Sequence, residues 1–134
     1  MTENPINILI VAVESDSRTD LKNAVHLSGY NVETTLVDNI ATAIYTCKNQ
    51  RFDCIFLDRN LPLNAFVDFM DQLYNFDTKA AVCMMLNTSD HDSVEEAFNH
   101  GALDTINIHN ITLKDVTACI QHSLDYRSTG ASGY

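Results

Sequence analysis

The chain has 134 residues, of which 46% are hydrophobic and 19% charged, a size that suits one domain and a composition typical of ordered soluble proteins. Its 18 acidic and 8 basic residues give a net charge of -10. Nucleic-acid binding needs clustered lysine and arginine to displace counterions, so direct contact with DNA or RNA is not expected. Anionic membrane surfaces are disfavoured by the same charge.

The first apolar run, residues 6–13, is too short to span a membrane and does not have the form of a signal peptide. We therefore expect a cytoplasmic protein whose thiols are reduced. None of the cysteines forms a CxxC pair, and no two histidines stand at zinc-ligand spacing with a cysteine, so no metal or cofactor is predicted. The cysteines are expected to be buried small hydrophobes: Cys47, Cys54, Cys83 and Cys119.

Apolar runs alternate with amphipathic segments five times along the chain, a pattern that indicates repeated strand–helix units. The predicted strands are residues 6–13, 31–36, 52–58, 80–86 and 103–108. One helix is predicted to follow capping residues within 14–17, and a second to follow Asp38 or Asn39. The other three predicted helices cover residues 66–74, 93–100 and 113–126. Gly29 and Gly101 are expected to end the first and fourth helices.

Nearly continuous apolar strands predict a parallel sheet covered by helices on both faces, that is, a three-layer, doubly wound α/β fold. The predicted domain covers residues 1–127, and residues 128–134 are expected to form a flexible tail or the start of a linker. The functional crevice of such a sheet lies at the carboxyl ends of its strands. The candidate pocket residues are therefore the polar residues that follow the strands: Glu14, Asp58, Asn87, Thr88 and His109.

Three segments, in order and at suitable separations, resemble the receiver domains of two-component response regulators across nearly the whole chain. They are residues 52–58 with 60–62 (FDCIFLD and NLP), residues 8–11 with Glu14 and 16–18 (ILIV, E and DSR), and residues 99–104 (NHGALD). The resemblance implies a five-stranded, flavodoxin-like sheet of strand order 2-1-3-4-5. It also implies that Asp58 occupies the position of the aspartate that receives a phosphoryl group from a histidine kinase.

The chain departs from the family pattern around that aspartate. The two acidic residues that would help to hold Mg²⁺ fall on Ala12 and Val13, whose side chains carry no oxygen ligand. The lysine that would contact the phosphoryl group falls on Ile108, and the aromatic switch position falls on Thr105. The hydroxyl position after strand 4 falls on residue 86, 87 or 88, so a role for Thr88 stays open.

These departures predict a degenerate receiver, or pseudo-receiver, that is not an enzyme and acts through a protein partner or an adjacent signalling domain. Asp58 is then a strand-end acid that caps the following loop or is solvated, and Glu14 is a helix cap. His109 is a surface or hydrogen-bonded side chain or, when protonated, a substitute for the missing cation. The oligomeric state is left open.

The alternative is a working phosphoacceptor in a phosphorelay. In that case a histidine kinase phosphorylates Asp58, and Glu14 and Asp58 share a Mg²⁺ ion. A flavin phosphate in the hydroxyl-rich loop of residues 15–19 is a further possibility, but Glu14 and Asp16 would repel the phosphate and the loop lacks glycine.

Overall fold

A computed structural model describes residues 4–61, 65–88 and 90–131 of the chain. Strands and helices alternate strictly along these residues. The strands are β1 (Ile6–Val11), β2 (Val32–Val37), β3 (Cys54–Asp58), β4 (Val82–Leu86) and β5 (Asp104–Asn107). The helices are α1 (Asp16–His26), α2 (Ile40–Asn49), α3 (Ala65–Phe76), α4 (His91–Asn99) and α5 (Leu113–Ala131).

The strands form one parallel, five-stranded sheet of order β2-β1-β3-β4-β5. This confirms the predicted three-layer, doubly wound, flavodoxin-like class. The central strands β3 and β4 are buried along almost their whole length, whereas the residues of the edge strand β2 are half-buried or exposed except for the buried Val37. The continuous apolar runs in the sequence are therefore the strands that helices cover on both faces.

Each face of the sheet has its own hydrophobic core. One core packs α2, α3 and α4 against residues such as Leu9, Ile55 and Met84. The other packs α1 and α5 against residues such as Ile8, Phe56 and Cys83. Alternation of side chains along each strand divides the apolar residues between the two cores.

The helix ends follow the local signals in the sequence. Ser15, Asn39 and Asp90 cap α1, α2 and α4, each accepting a hydrogen bond from a backbone N–H in the first turn. Gly29 and Gly101 have φ angles of +92° and +103°, a region that favours glycine, and they follow α1 and α4 as predicted. Among the described residues, the helices include none that is long and apolar enough to cross a membrane.

Several element boundaries were predicted wrongly by one to five residues; β3 and β4, for example, begin at residues 54 and 82 rather than at 52 and 80. β1 ends at Val11 rather than at residue 13, because Val13 is 50% exposed and lies outside the ladder. Helix α5 continues to Ala131, past the predicted end at residue 126, so residues 128–131 extend the helix. Arg127 anchors this region, since its guanidinium donates to the Lys79 carbonyl at 2.7 Å. Residues 132–134 of the predicted tail and Pro62 of the predicted loop lie outside the described residues.

Candidate functional site

Asp58 is the last residue of β3, and its carboxylate serves the turn that follows the strand. Its Oδ1 accepts a hydrogen bond from the backbone N–H of Asn60 at 2.8 Å. The backbone N–H of Leu61 is 3.4 Å from the Asp58 carbonyl oxygen. The side chain is half-buried at the carboxyl edge of the sheet. One of its carboxylate oxygens supports the loop through the hydrogen bond from Asn60. This is the geometry expected of a strand-end acid that caps a loop.

The end of β1 presents one buried and two exposed side chains. Ala12 is 1% exposed and belongs to the core between the sheet and helices α1 and α5, whereas Val13 is 50% exposed. Glu14 is exposed, and the cap of α1 is the neighbouring Ser15 rather than Glu14. Methyl groups therefore occupy the two positions at which the family resemblance places acids.

Arg18, to which the sequence analysis gave no role, extends from α1 back to the end of β1. Its Nη1 donates to the carbonyl oxygen of Ala12 at 3.2 Å. A positive charge thus lies beside the end of β1, near the positions at which the family resemblance places the metal-binding acids. The sequence signal is an arginine in the first turn of a helix that follows a strand, whereas its contact with Ala12 is visible only in the structure.

The three residues at the end of β4, Leu86, Asn87 and Thr88, have different structural roles. Leu86 is 2% exposed and lies within the strand, and Asn87 is the first residue beyond it. The Thr88 hydroxyl donates to Asp90 Oδ2 at 3.0 Å and accepts from the Asp90 backbone N–H at 3.1 Å. Thr88 therefore belongs to the capping network of α4, and Asn87 is the side chain at the strand end.

The end of β5 carries an aliphatic residue where the resemblance places a lysine. Ile108 is half-buried and packs against the core under α5, and its backbone N–H donates to the Leu86 carbonyl at 2.8 Å. His109 is exposed, and its backbone N–H donates to Asn107 Oδ1 at 2.8 Å. Thr105 is half-buried within β5.

A contact chain next to Asp58 was missed by sequence reasoning. Arg59 Nη2 lies 3.1 Å from Glu96 Oε1 on α4, and the Arg59 guanidinium carbon lies 4.3 Å from the centre of the Phe66 ring on α3. The Phe66 ring in turn packs edge-on against His100, with ring centres 5.3 Å apart. These residues tie the loop after β3 to α3 and α4. Their separation in sequence, 37 residues for Arg59 and Glu96, leaves no periodic signal.

The parallel topology places the candidate residues along one edge of the sheet: Glu14, Asp58, Asn87, Thr88 and His109. Among residues 4–61, 65–88 and 90–131, Glu14 and Asp58 do not belong to any group of three metal-ligating side chains close enough to share an ion. What the edge offers a cation is therefore a few separate oxygens, and Arg18 already supplies positive charge nearby.

The sheet order and the aspartate at the end of its central strand define a CheY-like, flavodoxin-like α/β protein. Residues 8–118 match the family described as the response regulator receiver domain. The chain belongs to this family.

Similar proteins agree with this assignment. The chain is 29% identical over 125 residues to the transcriptional regulatory protein PrrA of Mycobacterium tuberculosis, covering 93% of this chain and 52% of that protein. It thus spans about half the length of the curated relatives it matches.

Solved structures share the fold at low sequence identity. NtrX of Brucella abortus, solved with ADP, has a TM-score of 0.81 at 17% identity, covering 96% of this chain and 28% of that one. The signal receiver domain of a LuxO repressor protein from Vibrio parahaemolyticus has a TM-score of 0.80 at 17% identity, covering 96% and 97%.

Proposed function

We propose that this receiver domain is a pseudo-receiver, a signalling module that acts through protein–protein contact and is not phosphorylated at Asp58 by the Mg²⁺-dependent route. One observation carries the proposal: the half-buried Ile108, at the lysine position, packs against the core, while Ala12 and Val13 stand at the positions of the metal-binding acids. Two sources of the positive charge that an acceptor carboxylate needs, the lysine and a metal ion held by the acids, are therefore without their residues.

The charge argument is direct. A phosphoryl donor brings negative charge to a carboxylate that is already negative, so transfer depends on cations placed beforehand around the acceptor. Removal of such groups costs orders of magnitude in rate. In this chain Asp58 instead accepts the Asn60 N–H, a role that needs no phosphorylation.

The partner is proposed to be a protein or an adjacent signalling domain of the same polypeptide. The relatives are about twice as long as the matched region, which supports an attached domain. Large apolar side chains stay exposed on the α4–α5 side: Phe98 (44%), Leu113 (46%) and Tyr126 (37%). Leu27 at the end of α1 is 71% exposed and offers a second contact point.

The test is an amide NMR titration of the ¹⁵N-labelled protein with Mg²⁺ and then with beryllofluoride, which mimics a bound phosphoryl group. We expect no saturable shifts at Glu14, Asp58 or Asn87 at millimolar Mg²⁺. Saturable shifts clustered at these residues would overturn the proposal.

A matched variant makes a negative result informative. Val13→Asp restores a family acid at a position that is 50% exposed, so the new carboxylate needs no burial. Ile108→Lys restores the lysine at a half-buried position from which the amine can extend to solvent. Ala12 is left unchanged, because at 1% exposure an aspartate there would be buried. The double variant is expected to gain the Mg²⁺ response at Asp58 that the natural chain lacks.

A second candidate function, a working phosphoacceptor supplied by a histidine kinase, has one observation in its favour. Arg18 places a guanidinium at the end of β1, where it could replace part of the charge of Mg²⁺. If beryllofluoride bound without Mg²⁺ and Arg18→Gln abolished the binding, this function would replace the proposal. Binding that survived Arg18→Gln would point to a different cation.

A further inference from the structure

Two thiols and one carboxylate lie close together where α5 packs on the sheet. Cys83 comes from β4, Asp104 from β5 and Cys119 from α5. One ligand atom from each, two sulfurs and a carboxylate oxygen, lie within 4.8 Å of one another. Cys83 is 0% and Cys119 3% exposed, while Asp104 is half-buried.

We propose that Cys83, Asp104 and Cys119 form a binding site for a thiophilic divalent cation of the Zn²⁺ class. In tetrahedral sites Zn²⁺ lies about 2.3 Å from thiolate sulfur and about 2.0–2.2 Å from carboxylate oxygen. Ligand atoms on such an ion are therefore roughly 3.5–3.8 Å apart. Because the ligand atoms already lie within 4.8 Å of one another, each pair would have to approach by at most about 1.0–1.3 Å to share an ion.

Polar groups around the three residues are placed to hold them in position, as the hydrogen-bond partners of metal ligands do. His122 Nδ1 lies 2.5 Å from Asp104 Oδ2, which orients the carboxylate from the solvent side. The Cys83 sulfur lies 3.8 Å from the Ser123 hydroxyl and 3.9 Å from the Cys119 carbonyl oxygen. Ser123 is a fully buried polar residue, so polar atoms gather here within an otherwise apolar core. Outer partners of this kind position metal ligands.

The ligand chemistry selects the ion. Thiolates favour Zn²⁺, Cd²⁺ and Cu⁺, whereas Mg²⁺ binds oxygen and retains its water. Hydrogen bonds of the Cys83 thiol with Cys119 and Cys54, together with burial, raise the pKa of Cys83 well above its ordinary value. Each ion that binds forms two metal–sulfur bonds and releases the two thiol protons to solvent.

Such a site would connect three elements. An ion held by β4, β5 and α5 would fix α5 against the edge of the sheet, and Leu113 and Tyr126 are exposed on that helix. This inference does not depend on the proposed function, because it involves neither Asp58 nor Mg²⁺.

The test is a titration of the fully reduced protein, kept in a phosphine reductant, with Cd²⁺ and with Co²⁺. Thiolate binding appears as ligand-to-metal charge-transfer absorption in the ultraviolet. We expect saturation at one equivalent and a rise in melting temperature, because an ion that binds only the folded state stabilises it. Excess Mg²⁺ should not displace the ion.

Variants locate the site. Cys83→Ala with Cys119→Ala should abolish the absorption, whereas Cys47→Ala, which changes a cysteine on the other face of the sheet, should leave it intact. His122→Ala should weaken binding on the order of 10- to 100-fold, as for other outer partners of metal ligands. Circular dichroism establishes that each variant is folded, and Cys119→Ala alone replaces the double variant if that does not fold.

Three outcomes would overturn the proposal. They are the absence of charge-transfer absorption in the natural protein at millimolar Cd²⁺, its persistence without Cys83 and Cys119, and its loss in Cys47→Ala. In each case the thiols of the core are small hydrophobes, as the sequence analysis expected.

Discussion

Replacing Gly101 by alanine tests how the end of α4 is held against α3. Gly101 and Gly29 both have positive φ angles, +103° and +92°. A Cβ at position 101 would meet Tyr74 Cε2 at 3.0 Å and the Tyr74 oxygen at 3.2 Å, whereas a Cβ at position 29 has no heavy atom within 4 Å. Gly29→Ala is therefore a matched control with nearly the same backbone strain and no clash.

The two substitutions should differ by a calculable amount. Holding alanine at positive φ costs about 1–2 kcal/mol in both. At position 101 the crowding adds about 1–3 kcal/mol, or Tyr74 moves away and its 2.8 Å hydrogen bond to the Gly101 carbonyl is lost, which costs about 1 kcal/mol. We expect a loss of about 1–2 kcal/mol for Gly29→Ala and of about 2–5 kcal/mol for Gly101→Ala.

Urea unfolding, followed by circular dichroism with unchanged m-values, measures both losses. Burial, with smaller effects of Tyr126 and Asp77, raises the pKa of Tyr74 to about 12, so its hydroxyl remains a donor at neutral pH. Tyr74→Phe in the Gly101→Ala background removes the oxygen at 3.2 Å and should recover part of the loss. Equal losses for the two glycine variants would refute the reasoning.

Two further predictions concern ion pairs and caps. Arg127→Gln should destabilise the fold by about 1.5–3 kcal/mol in urea unfolding. The substitution removes both the 3.3 Å ion pair with Asp77 and the hydrogen bond to the Lys79 carbonyl, and only 9% of the Arg127 side chain is exposed. A loss below about 0.5 kcal/mol would contradict this prediction. Hydrogen bonds from the Ser93 backbone N–H and from the Thr88 and Ser93 hydroxyls lower the pKa of Asp90, so its contribution is present above about pH 4 and is lost as pH falls through its depressed pKa. Asp90→Asn, which keeps the cap, should therefore show a shallower fall in melting temperature over that acidic window, and identical pH profiles would contradict the assignment.

Local sequence patterns were sufficient to predict the strands and helices and their order along the chain. Apolar runs such as the one within residues 52–58 predicted buried strands, and capping residues such as Asn39 predicted where helices begin. These signals act over a few residues, so they survive without knowledge of the fold. The extension of α5 was missed because a Ser- and Gly-rich composition suggested an end, whereas Arg127 holds the preceding turn in place through a segment 48 residues away.

The candidate site was predicted as a set of positions and not as a set of contacts. Asp58, Asn87 and Ile108 could be placed at strand ends by their spacing, because a parallel sheet brings its carboxyl ends to one edge. The contacts that their side chains make could not be predicted in this way. That Thr88 completes the cap of α4, and that Ile108 packs into the core, depend on which direction each side chain takes after its strand ends.

The sequence alone therefore determined the fold class of this protein and, by family resemblance, its strand order and the positions at which the receiver residues are expected. Only the tertiary structure brought Arg18 to the end of β1, paired Arg59 with Glu96, and gathered Cys83, Asp104 and Cys119. The physical reason is range: strand and helix signals repeat every two to four residues. A contact such as that between Cys83 and Ser123, 40 residues apart, is decided by how the helices pack on the sheet.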